Sequence, residues 1–202
     1  MALVTNDILK EYLPELTGTG ADTELTNMLD RAESTIARWL GYPHPDGSNT
    51  CTLVVSTYTL YIDSYWYENV SVLQLPIKPV TTITSVHSDP DRVYGSDTEV
   101  TSTEYEIDKQ LGQLIIKPNV STVGFSKAFR ANKVVGTFGF TLFHKDIVHA
   151  VAVYASHLYR AKSSQGKKSQ TIRNATTTYM PNTIPPEVKE ILYPYRSSTK
   201  IL

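Results

Sequence analysis

The feature that most constrains the fold is a change in the periodicity of the apolar residues along the chain. In residues 22–40 they recur every three or four positions, as on one face of a helix. Between residues 50 and 140 they occur in short runs rich in β-branched and aromatic side chains, which is typical of strands. We therefore predict an α+β fold. An N-terminal helical hairpin (residues 5–13 and 22–40) and a long third helix (residues 146–160) would pack with a small antiparallel β-sheet or barrel.

Seven short runs with strand character lie in this middle region, separated by Gly, Pro, Asp and Asn. They are residues 52–55, 58–62, 70–75, 81–86, 104–107, 114–116 and 133–138. Leu111-Gly112-Gln113 has the composition of a hairpin turn between the fifth and the sixth run. Short strands at intervals of about 8–12 residues favour a small antiparallel sheet or a barrel.

The two N-terminal helices have recognisable end signals. Thr5 is a suitable N-cap for the first helix, and Pro14 ends it. Asp22 is a suitable N-cap for the second helix, which Gly41 and Pro43 terminate.

The third predicted helix is apolar around almost its whole circumference. One face carries Val151, Ala155 and Leu158, and the opposite face carries Val153 and Tyr154. A helix of this kind is either buried on two sides or faces a neighbouring subunit.

The charge is divided unevenly between the two parts of the chain. Residues 1–159 contain 11 basic and 18 acidic side chains, whereas residues 160–202 contain 8 basic and 2 acidic ones. Residues 162–178 are polar and show no periodicity, while Pro185-Pro186 opens a short helical pattern at residues 186–192. We therefore divide the chain into a body, residues 1–160, and an extended basic C-terminal arm, residues 161–202, that becomes ordered on a partner.

Chemical motifs are missing where an enzyme would need them. The sequence has no nucleophile elbow, phosphate-binding loop, dinucleotide fingerprint or zinc-protease motif. The single cysteine, Cys51, cannot form an internal disulfide, and no apolar run approaches the ~18 residues of a membrane span. We predict no catalytic, cofactor-binding or metal-binding residues, and we expect a protein that is neither exported nor inserted in a membrane.

Two other classes of function compete with a purely structural one. Aromatic side chains of the first strand region, which a carbohydrate-binding surface would use, are Tyr58, Tyr61, Tyr65, Trp66 and Tyr67. A small hydrolase built from Asp or Glu and His is the enzymatic alternative, but it lacks any paired motif.

Several short motifs follow one another in a distinctive order. They are Ala37-Arg38-Trp39-Leu40-Gly41-Tyr42, residues 75–86 beginning Leu75-Pro76-Ile77-Lys78-Pro79-Val80, the hairpin at residues 105–116, residues 134–139, the alanine-rich helix, and residues 184–192. Together they resemble the head–tail connector (adaptor) family of tailed bacteriophages. His144-Lys145-Asp146 replaces the proline expected at the start of the third helix, which leaves that boundary open.

The resemblance implies a structural virion protein of the head–tail neck, assembled in the host cytoplasm without a membrane. Twelve copies would form a ring on the portal protein after DNA packaging. The ring would extend the channel for genomic DNA, without sequence recognition, and would attach the tail or a stopper. A tail-completion or stopper ring is the near alternative, and a carbohydrate-binding module on the virion surface is the alternative from another class.

The resemblance also gives three sets of residues a candidate role. Basic and apolar residues of the arm are candidates for portal binding: Arg160, Lys162, Lys167, Lys168, Arg173, Ile184, Val188, Ile191, Leu192, Tyr195 and Arg196. Apolar residues of the second and third helices are candidates for the ring interface: Leu29, Ile36, Val151, Tyr154 and Leu158. Acidic loop residues are candidates to face the channel or the next ring: Asp89, Asp91, Asp97 and Glu99.

Overall fold

The computed structural model of the chain describes residues 3–64, 71–120, 124–162, 169–172, 175–178 and 183–196. These residues belong to two compact units. The helical unit comprises the chain up to Leu40 and again from Phe143 to Arg196, and the β unit comprises Gly41–Leu142. The boundary predicted at residue 160 falls inside the helical unit, which contains residues from both sides of that position.

The helical unit contains four α-helices among the described residues. They are α1 (Asn6–Glu11), α2 (Asp22–Leu40), α3 (Lys145–Ala161) and α4 (Pro186–Leu192). Their positions confirm the predicted helical segments to within two residues at most ends. None of these helices is long and apolar enough to cross a membrane.

Of the two predicted N-caps, Thr5 of α1 is confirmed and Asp22 of α2 is not. Thr5 is the N-cap of α1, and its Oγ1 accepts a hydrogen bond from the N–H of Ile8 at 3.4 Å. Asp22 was predicted as an N-cap but is the first residue of α2, since the N–H of Leu25 donates to the carbonyl of Ala21. The carboxylate of Asp22 instead forms an ion pair with Lys10 Nζ at 2.6 Å, which links α2 to α1.

Helix α3 lies against all three other helices of the unit. It packs along α2 and also contacts α1 and α4. Its buried side chains come from more than one face: Ile147, Ala150, Val151, Ala152, Tyr154, Ala155, Ser156, Leu158 and Ala161. Of the two explanations for its apolar circumference, burial on two sides is therefore realised within a single chain.

The β unit contains six strands among the described residues. They are β1 (Ser56–Ile62), β2 (Val72–Gln74), β3 (Val80–Ser88), β4 (Tyr105–Asp108), β5 (Gln113–Ile116) and β6 (Asn132–Phe138). They form two antiparallel three-stranded sheets, in the orders β1-β6-β3 and β2-β5-β4. The fold is thus mixed α+β, and no barrel closes in the described part of the chain.

Two details of the β region differ from the sequence prediction. Residues 52–55 were predicted as a strand, but Val54 forms only a single bridge to Phe140. Tyr58 was a candidate for a carbohydrate surface, but its side chain is 1% exposed and its ring packs edge-on against Phe138. Tyr58 is therefore a core residue. Residues 65–67, which hold the other three predicted platform aromatics after Tyr61, lie outside the described residues.

Part of the arm was wrongly predicted to lack regular structure. β7 (Ser169–Ile172) pairs with β8 (Ala175–Thr178) in an antiparallel hairpin. Strand-favouring Thr and Ile residues and a two-residue connection are the signals of such a hairpin. They were overlooked because the two runs lack alternating apolar residues. Lys167, Lys168 and Arg173 lie outside the described residues.

Strand β6 occupies the centre of its sheet, and Gly136 permits the close approach of β3. A Cβ atom at Gly136 would lie 2.5 Å from the carbonyl oxygen of Thr82 and 3.2 Å from the Cα of Ile83. The register of β3 against β6 is irregular at this place, with shifts between Val80 and Thr82 and between Ile83 and Ser85. A side chain at position 136 would therefore push the backbone of β3 away.

We expect Gly136→Ala to lower the free energy of unfolding by about 1–3 kcal/mol, because the new methyl group meets backbone rather than a movable side chain. Urea denaturation followed by circular dichroism measures the change. Gly20→Ala is the matched control, since a Cβ there meets nothing within 4 Å, and it should stay within about 0.5 kcal/mol of the parent. Equal stability of the two variants would contradict this reading of the β3–β6 contact.

Candidate functional site

The C-terminal segment, residues 183–196, is anchored on the helical unit by its apolar residues. Ile184, Val188 and Leu192 are 7%, 0% and 0% exposed, and α4 packs against α3. These three predicted portal anchors are thus used within the chain itself. Ile191 and Tyr195 are half-buried.

The end of this segment is held by aromatic and polar contacts inside the same unit. The Tyr195 hydroxyl donates to Asp146 Oδ2 at 3.3 Å, and its ring lies 5.5 Å from that of His144. Burial, followed by the nearby Asp146 carboxylate, raises the pKa of Tyr195. The Arg196 guanidinium lies 5.1 Å from the centre of the Trp39 ring.

One aromatic residue of the segment faces outward. Tyr193, between α4 and the end of the segment, is 71% exposed. Tyr193 was not among the residues predicted for a functional site. The helical spacing of Val188 and Leu192, which puts them on the buried face, was the signal that Tyr193 would fall elsewhere.

Two of the predicted basic residues form exposed ion pairs within the helical unit. Arg160 Nε lies 3.4 Å from Glu15 Oε1, and its terminal NH₂ donates to the carbonyl of Tyr12 at 2.9 Å. The pKa of Glu15 is lowered first by its own backbone N–H and then by Arg160. Lys162 pairs with Glu24, and this hydrogen bond raises the pKa of Lys162. Because all four side chains reach solvent, each of these ion pairs contributes little to the stability of the fold.

An open groove of about 660 Å³ adjoins the start of α4. Its walls are Tyr12, Val153, Ser156, His157, Arg160, Pro185, Pro186, Glu187 and Glu190. Within the described part of the chain, the Nε2 atom of His157 is shielded from solvent and has no hydrogen-bond partner. The groove wall thus carries a guanidinium and two carboxylates, while the Nε2 atom of His157 lies beneath its surface.

Sequence reasoning selected only Arg160 of these groove residues. The others come from three stretches that are far apart in the chain and meet only through helix packing. Pro185-Pro186, at the start of α4, was the only part of this wall that a local sequence pattern indicated. As to metals, no group of three or more His, Cys, Asp or Glu side chains that could hold an ion occurs among the described residues.

The residues predicted for the ring interface all lie in the core of the helical unit. Leu29, Ile36, Val151, Tyr154 and Leu158 are 7%, 0%, 1%, 3% and 8% exposed. Their side chains already pack within one chain. Their role in a ring interface stays a prediction.

The predicted channel residues divide into one buried carboxylate and three exposed ones. Asp89 is 4% exposed, whereas Asp91, Asp97 and Glu99 are exposed. Asp89 Oδ2 accepts hydrogen bonds from the N–H groups of Val93 and Tyr94 at 2.7 Å each, and Oδ1 accepts one from Asp91 at 2.8 Å. The N–H of Tyr94 makes the largest contribution to holding the pKa of Asp89 below its usual value. Asp89 thus organises the loop, and a channel role for the other three stays a prediction.

We expect Asp89→Asn to lower the melting temperature by about 3–6 °C at pH 7, because the amide cannot accept these N–H groups as a charged carboxylate does. The folded-state pKa is lowered, so the stabilisation is fully present above the unfolded-state pKa of about 3.9. It is lost as the pH falls through the lower folded-state pKa. Melting curves from pH 7 to pH 3 measure the difference, which should shrink below about pH 4. Asp91→Asn, with an exposed carboxylate, is the control, and an equal effect there would refute the assignment.

Comparisons with known proteins give one family and one group of solved structures. The family model described as head completion protein matches residues 2–198. The fold is similar to a chain in the neck of a native gene transfer agent (GTA) particle computed with C12 symmetry. The TM-score is 0.55 at 16% identity, with 96% of this chain and 90% of that chain covered.

Two further structures show the same likeness. The neck of an empty GTA particle computed with C6 symmetry gives a TM-score of 0.57 at 16% identity. The virion of a native GTA particle gives 0.54 at 17% identity, and both cover 96% of this chain and 90% of the other. No curated protein sequence matches the chain.

Proposed function

The chain belongs to the head completion protein family, and from this premise we propose that it is an adaptor that forms a ring in the head–tail neck and docks on the portal. The family match spans residues 2–198, so both units take part in it. Together with the fold shared with GTA necks, this makes the chain a structural protein of a phage-like neck. The family match is the observation that carries the proposal.

A ring of twelve copies is the assembly that we propose. One similar neck was computed with C12 symmetry and another with C6, and a twelvefold arrangement satisfies both because six divides twelve. A ring requires two different faces of each protomer to meet head to tail. Because Leu29 and Ile36 are already buried in the core of one chain, we propose that outward-facing residues of the helices make the contacts between protomers.

The C-terminal segment is the docking surface that we propose for the portal. The surface consists of the exposed Tyr193 of this segment, the adjoining groove beside α4, and the exposed ion pairs of Arg160 and Lys162 at the end of α3. Tyr and Arg are among the residues most enriched at energetically dominant positions of interfaces. The excess of 8 basic over 2 acidic side chains in residues 160–202 would attract an acidic portal surface.

The remaining parts of the proposal concern DNA and the tail. Residues 1–159 carry 18 acidic and 11 basic side chains, so the body repels phosphates. This suits a conduit through which genomic DNA passes without binding. The face of the ring opposite the portal would receive the tail or a stopper.

Cryo-electron microscopy of the neck tests the ring and its place together. We expect twelve copies, with the C-terminal segment of each against the portal. Another symmetry would contradict the ring. If another ring separates the twelve copies from the portal, and they contact only proteins on the tail side, the chain has a tail-completion or stopper role instead.

We expect Tyr193→Ala to weaken binding to the purified portal about tenfold or more, because it removes the largest outward aromatic side chain of the docking surface. Biolayer interferometry measures the affinity. Stability should stay within about 0.5 kcal/mol of the parent, since the side chain is exposed. Leu142→Ala is the matched control, as Leu142 is a large apolar residue that is 85% exposed and lies in the β unit. Equal binding by the two variants would move the docking surface elsewhere.

A further inference from the structure

A cationic–aromatic patch lies on the β unit and has no part in the proposed docking on the portal. We define it as Tyr61, Arg92, Tyr94, Arg130 and Lys133. The Arg130 guanidinium lies 4.5 Å from the centre of the Tyr61 ring, and Lys133 Nζ lies 5.4 Å from that of Tyr94. The two tyrosine rings are 5.6 Å apart. Arg92 lies two residues before Tyr94 in the loop that Asp89 holds through the N–H groups of Val93 and Tyr94.

The patch combines exposed charge with exposed apolar surface. Tyr61 is 41% exposed, and Arg92 and Arg130 are exposed. Directly next to patch residues in the sequence, Val93 is 79% and Phe129 is 61% exposed. Exposed apolar side chains gathered in one place mark interaction sites more often than scattered ones do.

The backbone of the patch is strained. Arg92, Tyr94 and Arg130 have φ angles of +63°, +55° and +53°. They are three of the four non-glycine residues with positive φ in the described part of the chain. This conformation is unfavourable for L-residues, and it is retained mainly where a particular presentation of side chains matters.

Two carboxylates hold this backbone in place by accepting hydrogen bonds from its N–H groups. Asp63 Oδ1 accepts the N–H of Arg130 at 2.7 Å, and Asp89 Oδ2 accepts the N–H of Tyr94 at 2.7 Å. The Tyr94 hydroxyl donates to the carbonyl of Arg130 at 2.5 Å, which joins the two loops. The arginine and tyrosine side chains are therefore displayed from a fixed frame.

The cations of the patch have no acidic partner among the described residues. The ion pairs found in that part of the chain involve Lys10, Arg160 and Lys162, all in the helical unit. Arg92, Arg130 and Lys133 thus give the patch unpaired positive charge on a body that is acidic as a whole. A guanidinium stacked on a ring keeps its edge free for two parallel hydrogen bonds to a carboxylate.

We propose that this patch binds an acidic segment of a protein partner in which carboxylates stand beside apolar side chains. The carboxylates would pair with Arg92 and Arg130, and the apolar side chains would cover Val93 and Phe129. DNA fits less well. Each tyrosine ring already has a cation over it, so a base could stack there only by displacing that cation, and a duplex offers no apolar surface for Phe129.

Fluorescence anisotropy with the full chain tests the proposal and does not depend on the neck assembly. The probe is a fluorescein-labelled twelve-residue peptide of Glu-Glu-Leu-Phe repeats. Its comparators are the same peptide with Lys for Glu, a dT12 oligonucleotide and a 12-base-pair duplex. At 150 mM salt we expect only the acidic peptide to bind measurably. Arg130→Ala should weaken it about tenfold, while Lys109→Ala, which removes an exposed lysine from the β4–β5 turn, should not.

Nuclear magnetic resonance with the unaltered chain provides a readout that does not rely on a variant. The acidic peptide should shift the amide signals of the patch and leave those of the β4–β5 turn in place. The proposal is overturned if the Lys peptide binds equally, if DNA binds more tightly, if Lys109→Ala costs as much as Arg130→Ala, or if the shifts centre elsewhere. Self-association of the chain that Arg130→Ala abolishes would assign the patch to a second copy instead.

Discussion

The structure of the helical unit depends on covering α3, whose apolar residues occupy nearly its whole circumference. α2 packs along one side, and α1 and α4 contact others. This cover requires Ile184, Val188 and Leu192 of the C-terminal segment. The C-terminal segment, residues 183–196, is therefore part of the core as well as the candidate docking surface. Only its outward side chains, above all Tyr193, are available to a partner without exposing α3.

Carboxylates that accept backbone N–H groups play a comparable part in the β unit. The buried Asp89 and the half-buried Asp63 accept backbone N–H groups and so fix the loops on which the cationic–aromatic patch is displayed. A buried carboxylate that satisfies N–H groups is a scaffold, and it offers little charge to a channel or a neighbouring ring. An acidic residue of a loop therefore counts as surface charge only if its carboxylate is not already buried and accepting backbone N–H groups.

The sequence predicts elements well where one periodicity covers a long segment, and poorly where tertiary contacts decide. The apolar stripe of α2 and the proline pair at the start of α4 predicted both helices correctly, because apolar periodicity and helix-end signals are local properties of the sequence. The β7–β8 hairpin was missed because polar threonines carry no alternation. Apolar spacing correctly indicated that Ile36 and Val151 are buried, but it cannot show whether the same chain or a neighbour buries them. The groove at His157 was beyond sequence reasoning, since its walls meet only after folding.

Because the C-terminal segment also covers α3, an experiment on its proposed docking function has to leave its packing on α3 intact. Deleting residues 161–202 would remove α4 and expose the apolar surface of α3, which costs about 25 cal/mol for each Å² uncovered. Absence of the truncated protein from particles would therefore be explained equally well by misfolding and by lost docking. Substitutions at outward positions avoid this ambiguity, because they leave the contacts of Val188 and Leu192 intact. Within residues 183–196, the apolar side chains close the core of the helical unit, and Tyr193 is left on the outside.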